Sequence, residues 1–278
     1  MTARDLIRYT AERFRSAGIP DPENDAALLL SHLTGKPALN LRLDMDSDLE
    51  PSVISAFQSL AEKRMKRMPL QYLIGEAPFY RRLFKVDRRV LIPRPETELL
   101  CDWALELLKN TSSPHILDLC CGSGCIGLTI KAERPDAFVT LSDISPDALD
   151  IASDNAVRLA LDVSFRRSDL FSALTGCAFD LIISNPPYIP SEECGRLQAE
   201  VLSEPRLALD GGPDGCGLYR RIVSAAGSFL VPGGRLLMEL GIRQSETVAA
   251  LLADHGFTGI EIRKDYTGIN RMILAVLN

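Results

Sequence analysis

Apolar residues in the first part of the chain recur with the spacing of helices. Three helices are predicted there, over residues 2–18, 22–35 and 51–68. A capping box at Thr2–Asp5 begins the first helix, and Asp21 is the predicted cap of the second. Residues 1–75 are therefore predicted to form a small helical domain, and this stretch carries no evident catalytic motif.

From Ser113 onward, apolar runs of strand length alternate with helical patterns, which is typical of a mostly parallel sheet covered on both faces. The predicted strands are 115–119, 138–143, 163–168, 179–185 and 234–240, and the predicted helices lie near 125–133, 146–161, 217–230 and 243–255. Two last strand-like runs, 258–263 and 271–277, have no helix between them, so we expect them to pair antiparallel.

The stretch between these two parts, residues 76–95, is predicted to contain a short hairpin. Pro93 and Pro95 then restrict the backbone before a helix whose apolar positions begin at Leu99. Lysine and arginine outnumber aspartate and glutamate between residues 62 and 89. This excess fits either a solvated helix end or a surface that docks an acidic or RNA-bound partner.

Composition narrows the class of protein. Of 278 residues, 46% are hydrophobic and 24% are charged, as in an ordinary globular protein. No apolar run is long enough to span a bilayer and no signal-peptide core is evident, so we expect a cytoplasmic protein without membrane contact. The net charge of −6 argues against broad nucleic-acid binding. The seven cysteines lack metal-ligand spacing, so we expect reduced thiols and no metal site.

The first strand of the alternating part runs directly into a glycine-rich turn. Gly122, Gly124 and Gly127 satisfy the pattern G-x-G-x-x-G between a strand and a helix, where glycines let the backbone approach a ligand closely. Taken alone, this pattern is also typical of a nicotinamide-binding domain, or of a tight turn that binds nothing.

Carboxylates follow the next two strands. Asp143 ends strand 138–143, where it could bridge a ribose diol. Asp169 follows strand 163–168, where it could accept the amino group of an adenine that packs on Leu170. Each aspartate alone could equally cap a helix. Because the carboxyl ends of parallel strands meet at one edge of a sheet, we expect both aspartates and the glycine turn to share one crevice.

The fourth strand ends in Asn185-Pro186-Pro187-Tyr188. The two prolines hold this tetrapeptide extended and leave no N–H at either position. The Asn185 side-chain oxygen and the Pro186 carbonyl can then accept the two hydrogens of a planar NH2 group, on which the Tyr188 ring can stack. The tetrapeptide therefore indicates that the substrate is an amide or an exocyclic amine.

These features together fit S-adenosyl-L-methionine better than a dinucleotide. The carboxylates would hold its ribose and adenine, and the glycine turn and helix N-terminus would hold its amino-acid end. Its methyl-sulfonium group would then face Tyr188. Since no histidine or lysine of these motifs offers a strong base, we hypothesise that Asn185 and Pro186 orient the amide nitrogen in line with the methyl group. The proton would leave afterwards.

Several segments resemble the HemK/PrmC family, the glutamine methyltransferases that modify peptide-chain release factors. The matching segments are 69–75, 92–98, Asp118-Leu119 with 122–124, 185–188, and 204–205 with 208–209. Asn-Pro-Pro-Tyr is shared with DNA adenine and other amine methyltransferases, whereas Ile-Pro-Arg-Pro-Glu-Thr-Glu at 92–98 is much more specific. The resemblance covers nearly the whole chain.

The resemblance implies an α/β fold: a seven-stranded, Rossmann-like class I methyltransferase sheet with a C-terminal antiparallel hairpin, plus a small all-helical N-terminal domain. It implies substrate recognition by residues 1–75, a hairpin linker at 76–95, and S-adenosylmethionine-dependent methyl transfer by residues 96–278. The implied substrate is the glutamine amide of the Gly-Gly-Gln motif in class-I peptide chain release factors. We expect a monomer that makes no direct contact with nucleic acid.

The resemblance also implies roles for individual residues. The implied cofactor-binding residues are Asp118, Cys120, Cys121, Gly122, Ser123, Gly124, Asp143, Asp169, Leu170 and Asn185. The implied substrate-binding residues are Arg94, Asn185, Pro186, Pro187 and Tyr188, of which Asn185, Pro186 and Tyr188 are also the implied catalytic residues. Cys120 departs from the family, which usually has glycine there. Its side chain would narrow the pocket, which bears on cofactor affinity more than on the reaction type.

Three alternatives stay open at this point. The first is a nucleic-acid methyltransferase that acts on the exocyclic amine of a flipped adenine or guanine. The acidic net charge and the lack of an evident target-recognition domain count against it. The second is a dehydrogenase that uses the glycine turn for a nicotinamide cofactor, and the third is a binding module without activity.

Overall fold

The computed structural model describes residues 1–37 and 46–278; residues 38–45, which the predicted helical domain includes, lie outside the described part. The described residues divide into two compact units, Met1–Glu76 with Gln198–Ser203, and Ala77–Leu197 with Glu204–Asn278. Each unit has its own apolar core. No described helix combines the length and the apolar character that crossing a bilayer requires.

Helices form the first unit. They are α1 (Ala3–Ser16), α2 (Pro22–Thr34), α3 (Pro51–Met65) and the short α4 (Leu70–Ile74). The Thr2 side chain accepts the Asp5 N–H, as the capping box predicts, whereas Asp21 makes no cap hydrogen bond through its side chain. The predicted third helix is longer than α3. It stops early because Arg67 has a left-handed φ of 64°, which a right-handed helix cannot include.

Basic residues of the segment 62–89 are largely engaged within the chain. Arg64 is 5% exposed, and its guanidinium donates to Asp25 Oδ2 over 2.7 Å and to Glu200 Oε1 over 2.9 Å. Further ion pairs join Arg67 to Glu200, Arg82 to Glu133, Lys85 to Asp154 and Arg89 to Asp87. Arg64 therefore belongs to a buried ion-pair cluster and not to an exposed docking surface.

A hairpin, whose first residue Glu76 is counted with the first unit, leads into the alternating strands and helices of the second unit. The hairpin consists of β1 (Glu76–Phe79) and β2 (Arg82–Lys85), and α5 (Pro95–Leu107) follows it. Next come β3 (His115–Leu119), α6 (Cys125–Glu133), β4 (Phe138–Asp143), α7 (Pro146–Arg158), β5 (Ser164–Arg167) and β6 (Phe179–Ser184). The last elements are α8 (Gly217–Ala226), β7 (Leu230–Glu239), α9 (Ser245–Asp254), β8 (Phe257–Lys264) and β9 (Asn270–Leu277).

Seven strands of the described chain form one sheet in the order β5-β4-β3-β6-β7-β9-β8. All neighbours are parallel except β9, which runs antiparallel to both β7 and β8. The predicted seven-stranded sheet with a C-terminal antiparallel hairpin is thus confirmed. Successive residues of β3 face opposite sides of the sheet, since Ile116 joins one buried apolar cluster and Leu117 the other.

The strand order places a crevice at the carboxyl end of the central strands. From β3 the chain proceeds to β4 and β5 on one side, and β6 then continues the sheet on the other side. Connections on either side of this switch leave in different directions, so the loops after β3 and β6 separate and open a gap. The functional site is therefore expected where those loops begin.

Candidate active site

A cavity of about 380 Å³ opens at the carboxyl ends of the central strands. Stretches that are distant in the sequence meet there: residues 119–123 at the end of β3, 143–145 at the end of β4, 168–170 after β5, and Asn185 with Pro187 after β6. Further lining residues come from the stretches 89–97 and 205–221. The volume falls in the range of pockets that hold small ligands.

The glycine turn contributes open backbone to the cavity wall. Gly122 has a φ of 54°, which favours glycine, and a Cβ built there would meet no atom within 4 Å. Its backbone therefore borders space that a ligand can occupy. Gly124, with a φ of 77°, serves packing instead, because a Cβ there would lie 2.8 Å from Leu141 Cδ2.

Asp143 is held in place by the backbone of two turns. The Gly122 N–H donates to its Oδ2 over 2.9 Å, and the Ser145 N–H donates to its Oδ1 over 2.9 Å. Burial raises the pKa of this carboxyl group. Each carboxylate oxygen keeps a second acceptor position. The side chain is therefore fixed at the cavity wall and can still accept hydrogen bonds from ligand hydroxyl groups.

Asp169 lies on the cavity wall together with Arg221 of α8. Arg221 Nη2 donates to both carboxylate oxygens of Asp169, over 2.8 Å and 2.9 Å. The Arg221 side chain is 52% exposed and the Asp169 side chain is 49% exposed. Because an ion pair this exposed contributes little to stability, either partner can turn toward a ligand at small cost.

Asp118 is fully buried next to the glycine turn and does not line the cavity. Its Oδ2 accepts the Gly127 N–H at the start of α6 over 2.8 Å, while its Oδ1 has no hydrogen-bond partner within the described chain. Burial raises the pKa of this carboxyl group to about 7. Its direct contact is thus with the beginning of α6.

The tetrapeptide Asn185-Pro186-Pro187-Tyr188 is connected to one buried carboxylate at both ends. Asn185 Nδ2 donates to Thr97 Oγ1 over 3.3 Å, and Thr97 Oγ1 donates to Glu239 Oε2 over 2.6 Å. The Tyr188 hydroxyl donates to Glu239 Oε1 over 3.3 Å. Glu239 is 1% exposed, and burial raises its pKa to about 7. Thr97 and Tyr188 together thus link the tetrapeptide to Glu239.

Glycines of the long connection between β6 and α8 pack against the backbone of the tetrapeptide. A Cβ built on Gly211 would lie 2.7 Å from Tyr188 Cα and 2.8 Å from Pro187 O, and one on Gly215 would overlap Tyr188 O. The Tyr188 carbonyl also accepts a hydrogen bond of 2.8 Å from Gln244 Nε2. Side chains at Gly211 or Gly215 would therefore displace the tetrapeptide.

Arg94 lines the cavity from the segment that precedes α5. Its Nη2 donates to Glu204 Oε1 over 2.5 Å, and the Ile92 N–H donates to Glu204 Oε2 over 3.0 Å. The Glu204 side chain is 1% exposed. A carboxylate this buried is stable only when its partners are present. Glu204 therefore ties the segment 92–94 to the loop that carries the packing glycines.

The structure brings most of the predicted site residues to this one cavity. Those that line it are Arg94, Cys120, Cys121, Gly122, Ser123, Asp143, Asp169, Leu170, Asn185 and Pro187. Of the described residues that were predicted to form the site, those outside the lining are Asp118, Gly124, Pro186 and Tyr188.

Thr97, Glu204, Glu239 and the packing glycines are not among the predicted site residues. A signal for Glu239 existed, because it lies in the predicted strand 234–240, near the sheet edge where Asp143 ends its own strand. Thr97 and Glu204 fall in segments that resemble the HemK/PrmC family, but nothing in their spacing indicates which groups they contact.

The residues present could hold S-adenosylmethionine. Apolar side chains such as Leu119, Ile126 and Ile144 line the cavity beside the carboxylates of Asp143 and Asp169. An apolar pocket with a few fixed polar groups suits a nucleoside. The open space at Gly122 leaves room for a ligand at the turn, and the nearby carboxylates favour a positively charged sulfonium.

Comparison with known proteins agrees with this geometry. Residues 5–75 match the family model of the PrmC N-terminal domain, and residues 97–212 match that of the methyltransferase small domain. A release factor glutamine methyltransferase of Deinococcus radiodurans is 41% identical over 275 residues, which cover 99% of this chain and 98% of that protein. One of Cereibacter sphaeroides is 40% identical over 280 residues, which cover 100% of this chain and 99% of that protein.

A solved structure shares the fold at lower identity. The 16S rRNA methyltransferase of T. thermophilus, in complex with AdoMet and guanosine, is 20% identical with a TM-score of 0.53, over 73% of this chain and 50% of that chain. The dehydrogenase interpretation of the glycine turn is wrong, because this turn lies within the methyltransferase match at 97–212. High identity over nearly the whole length of both relatives shows that the chain belongs to the release factor glutamine methyltransferase family.

Proposed function

We propose that this protein transfers a methyl group from S-adenosyl-L-methionine to the glutamine side-chain amide of the Gly-Gly-Gln motif in class-I peptide chain release factors. The observation that carries the proposal is the hydrogen bond from Asn185 Nδ2 to Thr97. It leaves Asn185 Oδ1 as an acceptor on a residue that lines the cavity. An acceptor there is complementary to the N–H group of a carboxamide. The names of the two relatives support this choice of substrate.

Distinct parts of the cavity would hold the methyl donor. Asp143 would accept its ribose hydroxyls, Asp169 and Leu170 would contact its adenine, and the turn 120–123 would surround its amino-acid end. Bound there, the donor would supply an electrophilic methyl group on a positively charged sulfur. Asp118 would contribute by fixing the start of α6, where it accepts the Gly127 N–H.

The protein would accelerate the reaction mainly by orientation. An amide nitrogen is a weak nucleophile because its lone pair is delocalised into the carbonyl group. Asn185 Oδ1 would accept one hydrogen of the glutamine NH2 group. The Pro186 carbonyl, which stands between the lining residues Asn185 and Pro187, would accept the other, and the pair would fix the direction of the nitrogen. The apolar wall would exclude water and favour a transition state with dispersed positive charge. The nitrogen would take the methyl group while the electrons of the carbon–sulfur bond stay on the donor's sulfur, and it would then release its proton to solvent.

Different parts of the chain would have different roles. Residues 1–75 would recognise the release factor, 76–95 would serve as a linker, and 96–278 would carry out methyl transfer. The separate matches of residues 5–75 and 97–212 to two family models support this division. The protein would act in the cytoplasm as a monomer on a protein substrate, without direct contact with nucleic acid.

The test is a methylation assay with the purified full chain, methyl-labelled S-adenosylmethionine and a release factor produced without methylation. Peptide mass spectrometry should find one added methyl group on the glutamine of Gly-Gly-Gln, and none when that glutamine is replaced by alanine. Asn185→Ala should lower turnover at saturating donor by about 100-fold or more. Label on DNA or RNA in parallel reactions, with none on the release factor, would favour the nucleic-acid alternative.

A further inference from the structure

We infer that Thr97 and Glu239 act as positioning residues that fix the orientation of the Asn185 carboxamide, so that its oxygen faces the substrate amide. This inference deepens the proposed function and rests on it. The three residues come from different elements: Asn185 follows β6, Thr97 lies in the first turn of α5, and Glu239 ends β7. Thr97 and Glu239 are 2% and 1% exposed, so water does not compete for their hydrogen bonds.

The shape of an asparagine side chain does not determine which way its oxygen and NH2 group point. The oxygen and the NH2 group are nearly equal in size, and rotation by half a turn exchanges an acceptor for two donors. A substrate NH2 group that met the donors of Asn185 would not be held. Turnover therefore depends on a neighbour that accepts only one of the two orientations.

The contacts of Thr97 supply this selection. A threonine hydroxyl has one hydrogen, and an ionised carboxylate only accepts. Thr97 donates that hydrogen to Glu239 over 2.6 Å, a length typical of a hydroxyl bound to a charged carboxylate. Toward Asn185, Thr97 Oγ1 can then act only as an acceptor, which turns Nδ2 toward Thr97 and leaves Oδ1 for the substrate. Glu239 accepts from Tyr188 as well, as expected of an ionised carboxylate.

Protonation of Glu239 would reverse this arrangement. A protonated Glu239 can donate to Thr97, whose own hydrogen is then available to Asn185 Oδ1. The Asn185 carboxamide would then rotate by half a turn. Burial raises the pKa of Glu239 to about 7, so the change falls near neutral pH. Glu239 interacts with titratable and charged groups on several elements, namely Arg271, Glu96, Tyr188, Tyr219 and Cys125. Arg271 favours the ionised form and Glu96 opposes it. Turnover should therefore fall as the pH is lowered through about 7.

The first experiment compares two substitutions of Thr97 in the full chain. Thr97→Val removes the hydroxyl at nearly constant volume, whereas Thr97→Ser keeps it. For release factor methylation, Thr97→Val should lower kcat by about 10- to 100-fold, whereas Thr97→Ser should keep most of the wild-type kcat. The affinity for S-adenosylmethionine, measured by calorimetry, should change much less than kcat. The wild type should lose kcat toward acid pH, and both Thr97→Val and Glu239→Gln should lack that dependence.

The second experiment does not depend on activity. In nitrogen-15-labelled protein, the NH2 signals of the Asn185 side chain are assigned by their disappearance in Asn185→Asp. They should shift with pH around a midpoint near 7 in the wild type, and the shift should vanish in Thr97→Val. These signals can be followed without a release factor, so a wild type that fails to methylate would overturn the proposed function alone. Normal kcat with an unchanged acid dependence in folded Thr97→Val, or pH-insensitive Asn185 signals in the wild type, would overturn the inference.

Discussion

Gly122 and Gly124 share a left-handed backbone but have different surroundings. Around Gly124, a Cβ would lie within 3.1 Å of both Leu141 and Ala152, whereas at Gly122 it would stand in open space on the cavity wall. Gly124→Ala should lower the free energy of unfolding by about 2–4 kcal/mol, because strain and overlap add. Gly122→Ala should cost only about 1–2 kcal/mol and mainly weaken donor binding.

Denaturant titration measures the loss of stability in each variant, and calorimetry measures the affinity for the donor. The pair serves as its own control, since both substitutions add the same methyl group to the same turn. Normal affinity for S-adenosylmethionine in a folded Gly122→Ala variant would contradict the placement of the donor beside this turn.

Cys120 also has a left-handed backbone, with a φ of 62°, which is unusual for a residue with a Cβ. Because Cys120 lines the cavity, Cys120→Gly should raise the affinity for S-adenosylmethionine. Its stability should stay within about 1 kcal/mol of the wild type, because relief of strain offsets the greater freedom of glycine in the unfolded chain.

Cys120→Ala is the matched control, since it keeps the Cβ and the strain but removes the thiol. Calorimetry on both variants tells whether a gain in affinity comes from the missing thiol or from the relaxed backbone. A loss of affinity in both variants would show that the thiol contacts the donor favourably.

The candidate site could be predicted from the sequence wherever a residue follows a strand directly. Asp143 and Asn185 reach the same cavity because parallel strands share one carboxyl edge, and strand positions follow from apolar runs. The contact between Thr97 and Glu239 could not be predicted in this way. A hydroxyl on a helix reveals its partner only when the packing of that helix on the sheet is known.

The bounds of helices and strands could be predicted where they depend only on neighbouring residues in the sequence. β3, α6 and β4 have the predicted bounds. β7 instead begins at Leu230, before its predicted start, and passes through Pro232-Gly233-Gly234. These residues normally break a strand. Here Gly233 takes a φ of 76°, and the register between β6 and β7 shifts between Phe179 and Leu181. The neighbouring strand thus determines a boundary that the sequence alone does not show.

The loop between β6 and α8 packs on the tetrapeptide at Gly211. In Gly211→Ala, the new methyl group would overlap the backbone of Pro187 and Tyr188, which cannot move as a flexible side chain does. We expect kcat to fall by about 10- to 100-fold, because the tetrapeptide shifts, while donor affinity changes less. Gly195→Ala is the control, since its Cβ would meet no atom within 4 Å. Equal activity of the two variants would show that the loop adapts.

Asn155 joins three elements through its buried side chain. Its Oδ1 accepts the Lys85 N–H over 2.6 Å, and its Nδ2 donates to the carbonyl groups of Lys85 and Ser123 over 3.1 Å and 3.0 Å. Asn155→Ala should lower the free energy of unfolding by about 2–4 kcal/mol, because buried backbone groups lose their partners.

The neighbouring Asp154 supplies the comparison. It forms an ion pair with Lys85, but its side chain is 52% exposed. Asp154→Ala should therefore cost less than about 1 kcal/mol in the same denaturant titration. Similar losses in both variants would mean that the buried network around Asn155 adds nothing beyond the exposed pair.

The sequence predicts the fold class of the whole molecule, but it does not predict which residues belong to each compact unit. Alternating strand and helix patterns indicate a parallel sheet covered on both faces, as is found. Residues 198–203 belong to the first unit although the residues on either side belong to the second. Glu200 joins the cluster of Arg64 and Arg67 there. No local pattern reveals such an ion-pair partner, because it depends on which surfaces meet after folding.

The buried carboxyl groups should make the stability of the whole molecule depend on pH. Burial raises the pKa of Asp118 from 3.8 to about 7. Between these values the folded state keeps the proton that the unfolded state releases, so a rise in pH favours unfolding. The contribution of Asp118 is fully present below about pH 3.8 and is lost as the pH rises through about 7.

Asp118→Asn isolates this contribution, because asparagine does not titrate and its oxygen can still accept the Gly127 N–H. Every other titrating group is common to both proteins, so the difference between their free energies of unfolding reports Asp118 alone. We expect the wild type to lose up to roughly 3–4 kcal/mol relative to the variant between about pH 4 and pH 7, and no more above that. Denaturant titrations across this range measure it. A difference that stays constant would show that the pKa of Asp118 is the same in the folded and the unfolded protein. A gain by the wild type would show that folding lowers this pKa, because the start of α6 stabilises the charge more than burial opposes it.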